Sequence, residues 1–208
     1  MQDTTFNPFA DLITLEIRCP NRAAQYLDIS FSVGALPAGR HTFHQALWRP
    51  GRYSAAHYGQ YLRGMRAFTL GPEGQKQEIS IAKTSKNSWE LQLEEESDLI
   101  LTYAYHAAVL DAGSCWVDEN LFYVNFAPLL LWHPDLEAQP YVVQLPTREG
   151  EKAATALEEI DFEGGLWEAQ HYQQLIDSPV LISRDLHSTC YTVGKRISTY
   201  TSTARNRC

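Results

Sequence analysis

Apolar and polar residues alternate with a period of two along much of the chain. Within residues 12–18, Ile13, Leu15 and Ile17 share one side, and Thr14, Glu16 and Arg18 take the other. Residues 25–34 repeat the pattern, with Leu27, Ile29, Phe31 and Val33 inward and Asp28, Ser30 and Ser32 outward. Trp89, Leu91 and Leu93 line up in residues 88–93; Leu99, Leu101, Tyr103 and Tyr105 do so in residues 98–106. Successive strand side chains point to opposite faces, so this alternation predicts half-buried strands with one face on a core and one in water.

The breaks between these runs carry turn chemistry: Leu36-Pro37-Ala38-Gly39, Gly71-Pro72-Glu73-Gly74 and Glu163-Gly164-Gly165. Glu94-Glu95-Glu96 reads as a charged hairpin tip. Many short strands separated by Gly/Pro turns predict an all-β fold, a mainly antiparallel β-sandwich-like domain with minor helix. The best helical candidate is residues 149–160, good for a turn or two. The predicted domain covers residues 1–186. Residues 187–208 form an atypical tail rich in Ser, Thr and Arg, expected to fray or to mark a truncated or frameshifted end.

Composition narrows the function. A chain of 208 residues with 44% hydrophobic and 20% charged side chains is an ordinary globular protein that can bury a real core. A formal charge of −8 without a Lys/Arg cluster argues against nucleic acid. The N-terminus shows no signal-peptide pattern, and no apolar run is long enough to span a bilayer, so no membrane partner is expected. Cys19, Cys115, Cys190 and Cys208 lack metal-ligand spacing and read as reduced thiols of a cytoplasmic protein.

Candidate chemistry is sparse. No His-Glu-x-x-His motif, serine-hydrolase elbow or phosphate loop is present. His41 and His44, three apart on a strand, face opposite ways and cannot share a metal. His133 and Glu137 are separated by a helix-breaking Pro134. Gly113-Ser114-Cys115-Trp116 matches the core of a papain-type nucleophile signature. That chemistry needs a thiolate at a helix N-terminus and a His and Asn roughly 130–150 residues downstream, past position 208. The residues after Cys115 suit a strand or loop, so a thiol hydrolase using Cys115 is the lesser alternative. Asp118 and Glu119, beside Trp116, Phe122 and Tyr123, read as a solvated acidic turn or as an anchor for a cationic group such as a peptide's α-ammonium.

The most specific stretch is Trp48-Arg49-Pro50-Gly51-Arg52-Tyr53. Pro50 and Gly51 suit the two central positions of a type II turn, and Trp48 and Tyr53 flank it with rings. The pattern W-x-P-G-x-Y resembles the N-terminal domain of the glycyl aminopeptidase family, thermolysin-like zinc metallopeptidases that often carry a PDZ domain. Further markers follow in family order: Lys86-Asn87-Ser88-Trp89, Leu101-Thr102-Tyr103-Ala104-Tyr105, Trp116-Val117-Asp118-Glu119 through Tyr123-Val124-Asn125, Ala154-Thr155-Ala156-Leu157, and Leu175-Ile176-Asp177-Ser178-Pro179-Val180. Together they cover residues 12–186.

The resemblance implies a non-catalytic domain that packs on a thermolysin-like catalytic domain in cis and helps select the N-terminus of a peptide substrate. It implies no cofactor in this chain; the zinc belongs to the catalytic domain. By position, Asp118, Glu119 and Asn125 are the side chains lent to the cleft, while Trp48, Pro50, Gly51, Tyr53, Asp177, Ser178 and Pro179 form the structural motif. The rival reading is a standalone β-sandwich module that binds peptide or carbohydrate.

Overall fold

The computed structural model describes residues 12–49, 52, 54–71, 74–161, 164–193 and 196–203. Strands dominate. The largest sheet has eight, in the order β14 (Glu158–Asp161), β15 (Leu166–Ala169), β12 (Tyr141–Gln144), β1 (Ile13–Arg18), β2 (Tyr26–Leu36), β8 (Ser97–His106), β4 (Leu62–Leu70) and β5 (Lys76–Ile79). All of its pairs are antiparallel except β1 with β12, where Ile13 lies opposite Tyr141. A four-stranded sheet covers one side: β11 (Leu131–Trp132), β3 (Gly39–Gln45), β7 (Ser88–Leu93) and β6 (Ile81–Lys83). Another is formed by β13 (Lys152–Ala154), β16 (Val180–Ser183), β10 (Phe122–Val124) and β9 (Trp116–Val117).

The core is built by the side chains that the alternation placed inward. Leu15, Leu27, Phe31, Leu99 and Leu101 are fully buried in the large sheet, and Phe43, Trp89, Leu91 and Leu93 face them from the smaller one. Register enforces this: Phe31 lies opposite Leu15 on one side and Leu101 on the other, so three strands present one continuous apolar row.

Three local expectations change in the fold. Residues 149–160 are not helical; they supply β13 and β14, paired to β16 and β15 respectively. Ala and Glu are good helix formers, but propensity is a weak force that tertiary context overrides, and pairing along the backbone edges of β15 and β16 outweighs it here. Glu94–Glu96 is not a hairpin tip. β7 and β8 belong to different sheets, so this acidic turn is a corner between layers. The tail does not fray within the described residues: β17 (Leu186–Val193) and β18 (Arg196–Thr203) form an antiparallel hairpin that pairs with no other strand.

The His residues fall as the strand period requires. His41 is buried and its Nε2 donates to the Pro37 carbonyl at 2.8 Å, while half-buried His44 faces the other way and meets Ser88 Oγ at 3.0 Å. His133 caps a 3-10 turn at Pro134–Leu136, its Nδ1 accepting from the Asp135 N–H. Burial holds the His133 pKa below the ordinary imidazole value, against the opposing pull of Asp135.

Candidate functional site

The acidic turn after β9 is internally satisfied. Asp118 Oδ1 accepts from the backbone N–H groups of Asn120 and Leu121 at 2.9 and 2.8 Å, and Oδ2 accepts from the Trp116 indole N–H at 2.8 Å. A carboxylate that meets its own backbone two and three residues on makes an Asx turn, and this one closes the β9–β10 hairpin. Glu119 is different. Its side chain is 62% exposed and pairs with Arg148 at 3.1 Å across a cleft of about 350 Å³.

Asn125 stands apart from that cleft. It is buried, and its amide nitrogen donates to the Ser114 carbonyl at 2.8 Å and to the Tyr123 hydroxyl at 2.9 Å. Asn125 thereby ties β10 to the loop of Gly113, Ser114 and Cys115. The three residues grouped by sequence therefore separate into a turn clamp, an exposed carboxylate and a buried tether.

The same tether explains Cys115. Its thiol is 1% exposed, donates to the Asn125 carbonyl at 3.4 Å and precedes a strand, not a helix. Burial pushes the thiol up to about 12. A thiolate nucleophile needs the opposite environment. Native protein treated with iodoacetamide at neutral pH is expected to stay unmodified at Cys115 until denaturant unfolds it. Rapid labelling of the native chain, located by peptide mapping, would restore the hydrolase reading.

The turn motif is anchored to this loop. Arg52 N donates to the Arg49 carbonyl at 3.1 Å, and Arg49 lies so close over Gly113 that a Cβ there would meet the guanidinium directly. Pro50, Gly51 and Tyr53 fall outside the described residues. At the other structural motif, Asp177 caps the short helix α2 (Tyr172–Ile176), buried Ser178 donates to the Gln174 carbonyl at 2.7 Å, and Pro179 leads into β16.

Two ring nitrogens of His41 and His133 do not make a zinc site. The rings lie 5.3 Å apart, and among the described residues no three His, Cys, Asp or Glu side chains converge on a common point.

A second concavity opens between the end of β3, β11 and α2, with a volume of about 510 Å³. His44, Trp132 and Tyr172 form a chain of rings along it, with centroids 5.3 and 5.7 Å apart. Leu47 and Trp48 rise at its rim, 40% and 60% exposed.

Residues 14–184 match the family profile described as the peptidase M61 N-terminal domain. This chain belongs to that family.

The M61 N-terminal domain has structural relatives. A crystal structure of an aminopeptidase N family protein from Idiomarina loihiensis superposes with a TM-score of 0.82 at 20% identity, over 93% of this chain and 33% of that one. The domain thus spans about a third of the Idiomarina protein's length, and at that identity the likeness concerns the fold. An M1 zinc metallopeptidase mutant from Deinococcus radiodurans, bound to a Tyr-Ser-Ala substrate, superposes with a TM-score of 0.48 at 15% identity, over 92% of this chain and 46% of that one. No curated protein matches the chain.

Two features of the M61 domain were not legible in its sequence. One is the buried ion pair of Arg22 with Glu151, residues far apart in the chain. The other is the ring-lined groove, since the sequence read Trp48 only as a ring flanking a turn.

Proposed function

We propose that this M61 domain is the non-catalytic N-terminal part of a zinc aminopeptidase, where it packs on the catalytic portion and helps receive the N-terminus of a peptide. The observation that carries this reading is the family match over residues 14–184 together with a span of one third of the solved relative.

Of the three side chains considered for the peptide N-terminus, Glu119 is the one whose carboxylate faces solvent. Asp118 already clamps the turn that carries Glu119, and Asn125 is committed to the Ser114 carbonyl away from it. An α-ammonium would compete with the Arg148 guanidinium for Glu119, and an exposed pair of this kind is weak enough to exchange. In a peptidase containing both portions, Glu119→Gln is expected to raise KM several-fold for peptides with a free N-terminus while leaving kcat nearly unchanged. A KM that stays constant would remove Glu119 from the reading. The isolated domain, supplied with zinc, is expected to hydrolyse no peptide.

A further inference from the structure

The groove at the end of β3 joins two features that the Glu119 cleft does not use. Its walls are aromatic, and Trp48 keeps 60% of its surface in water. A Trp that exposed gives up much of the gain from burying its ring, so its position calls for a ligand or a partner. The charge on the groove is one-sided. Glu137 lines it, with one carboxylate oxygen accepting from Gln173 Nε2 at 2.7 Å, and no Lys or Arg is among the groove's described lining residues. Nor does Glu137 form an ion pair among the described residues.

Aromatic faces beside an unpaired carboxylate select one chemistry. Ring quadrupoles attract a cation lying over them, and a carboxylate accepts its N–H donors. An anion would meet Glu137 head-on, and a neutral apolar group would desolvate that carboxylate while leaving it only the Gln173 amide and no cation. The chain's net charge of −8 adds a long-range attraction for cations.

We propose that this groove binds a cationic side chain, arginine or lysine, of a peptide, seated against Trp48 and Trp132 with its N–H groups on Glu137. This site is independent of Glu119: it reads a side chain, not the peptide's terminus.

The test uses the whole chain and the tripeptide Ala-Arg-Ala, N-acetylated and C-amidated so that no α-ammonium is present. The control peptide carries citrulline, which keeps the shape of arginine and removes its charge. Titration followed by tryptophan fluorescence and by the indole N–H signals in NMR is expected to show saturable binding of the arginine peptide, with the response at Trp48 and Trp132. Glu137→Gln is expected to weaken it about tenfold, as loss of a charge-assisted contact does. Trp48→Ala is expected to weaken it at least as much, and Trp48→Phe to retain part of it. An exposed Trp48 makes these variants safe for folding, which an unchanged thermal midpoint would verify. Equal binding of the citrulline peptide would overturn the proposal, as would an arginine affinity indifferent to Glu137→Gln. No saturable response, with Trp48 becoming shielded from a fluorescence quencher only when the catalytic portion is added, would likewise overturn it and make the groove a domain contact.

Discussion

Arg22→Ala is expected to destabilise the domain by about 3–5 kcal/mol, the range for removing one partner of a buried ion pair. The Arg22 side chain is fully buried and that of Glu151 is 3% exposed. The guanidinium meets the carboxylate with two parallel contacts at 2.5 and 2.8 Å, adds a contact to the Pro146 carbonyl at 3.4 Å, and lies 5.8 Å from the centre of the Phe122 ring. Glu151 in turn accepts the Arg148 N–H at 2.9 Å, so the pair sets the loop that carries Arg148 towards Glu119. Truncating Arg22 leaves a carboxylate out of water with its strongest donor gone. The measurement is the urea midpoint at constant m-value. A drop of less than about 1 kcal/mol would mean that water reaches the pair. Replacing both residues, Arg22→Met with Glu151→Leu, is expected to recover much of the loss, because two apolar groups leave nothing unpaired.

Phe31→Ala is expected to cost about 3–5 kcal/mol as well, through a cavity where the two layers meet. Phe31 is fully buried near the middle of β2. Its ring meets Phe43 of the opposing sheet edge-to-face at 6.3 Å and stacks on Tyr141 at 6.5 Å. Neither neighbour can collapse into the space, since each sits on a strand held by its own ladder. Phe31→Leu, which keeps most of the volume, is expected to lose clearly less. Equal losses for Ala and Leu, read from thermal or urea unfolding, would show that ring contacts and not volume hold the layers.

Both residues illustrate what could be read in advance. Phe31 announced itself through strict alternation with Asp28, Ser30 and Ser32, because a strand with one wet face writes its burial directly into a period of two. Arg22 announced nothing. A lone arginine between two strands looks solvated until the fold brings the loop at Glu151 over it, and that closure depends on β13 pairing with β16. The stretch that supplies β13 and β14 misled for a related reason: its Ala and Glu content speaks for helix, while its state was decided by strand edges elsewhere in the molecule.

The candidate site followed the same division. Asp118, Glu119 and Asn125 were grouped through one stretch that resembles a family motif. Their separate duties were not legible there, since a hydrogen-bond partner such as the Ser114 carbonyl is chosen by how a loop folds back. Cys115 matched part of a nucleophile signature by its neighbours in the chain, the sequence already made a thiol hydrolase the lesser reading, and its neighbours in space agree: burial raises the thiol, and no helix end lowers it.

The sequence by itself determined the all-β class, the inward faces of β1, β2, β7 and β8, and the family motifs, because each is a local property of alternation, turn residues or spacing. Only the tertiary structure decided that β7 and β8 part into different sheets, that Arg22 and Glu151 share a buried pair, and that Trp48, Trp132 and Glu137 line one groove. Those outcomes depend on which strand edges meet, and edges are matched by long-range pairing and desolvation, which no local window of residues encodes.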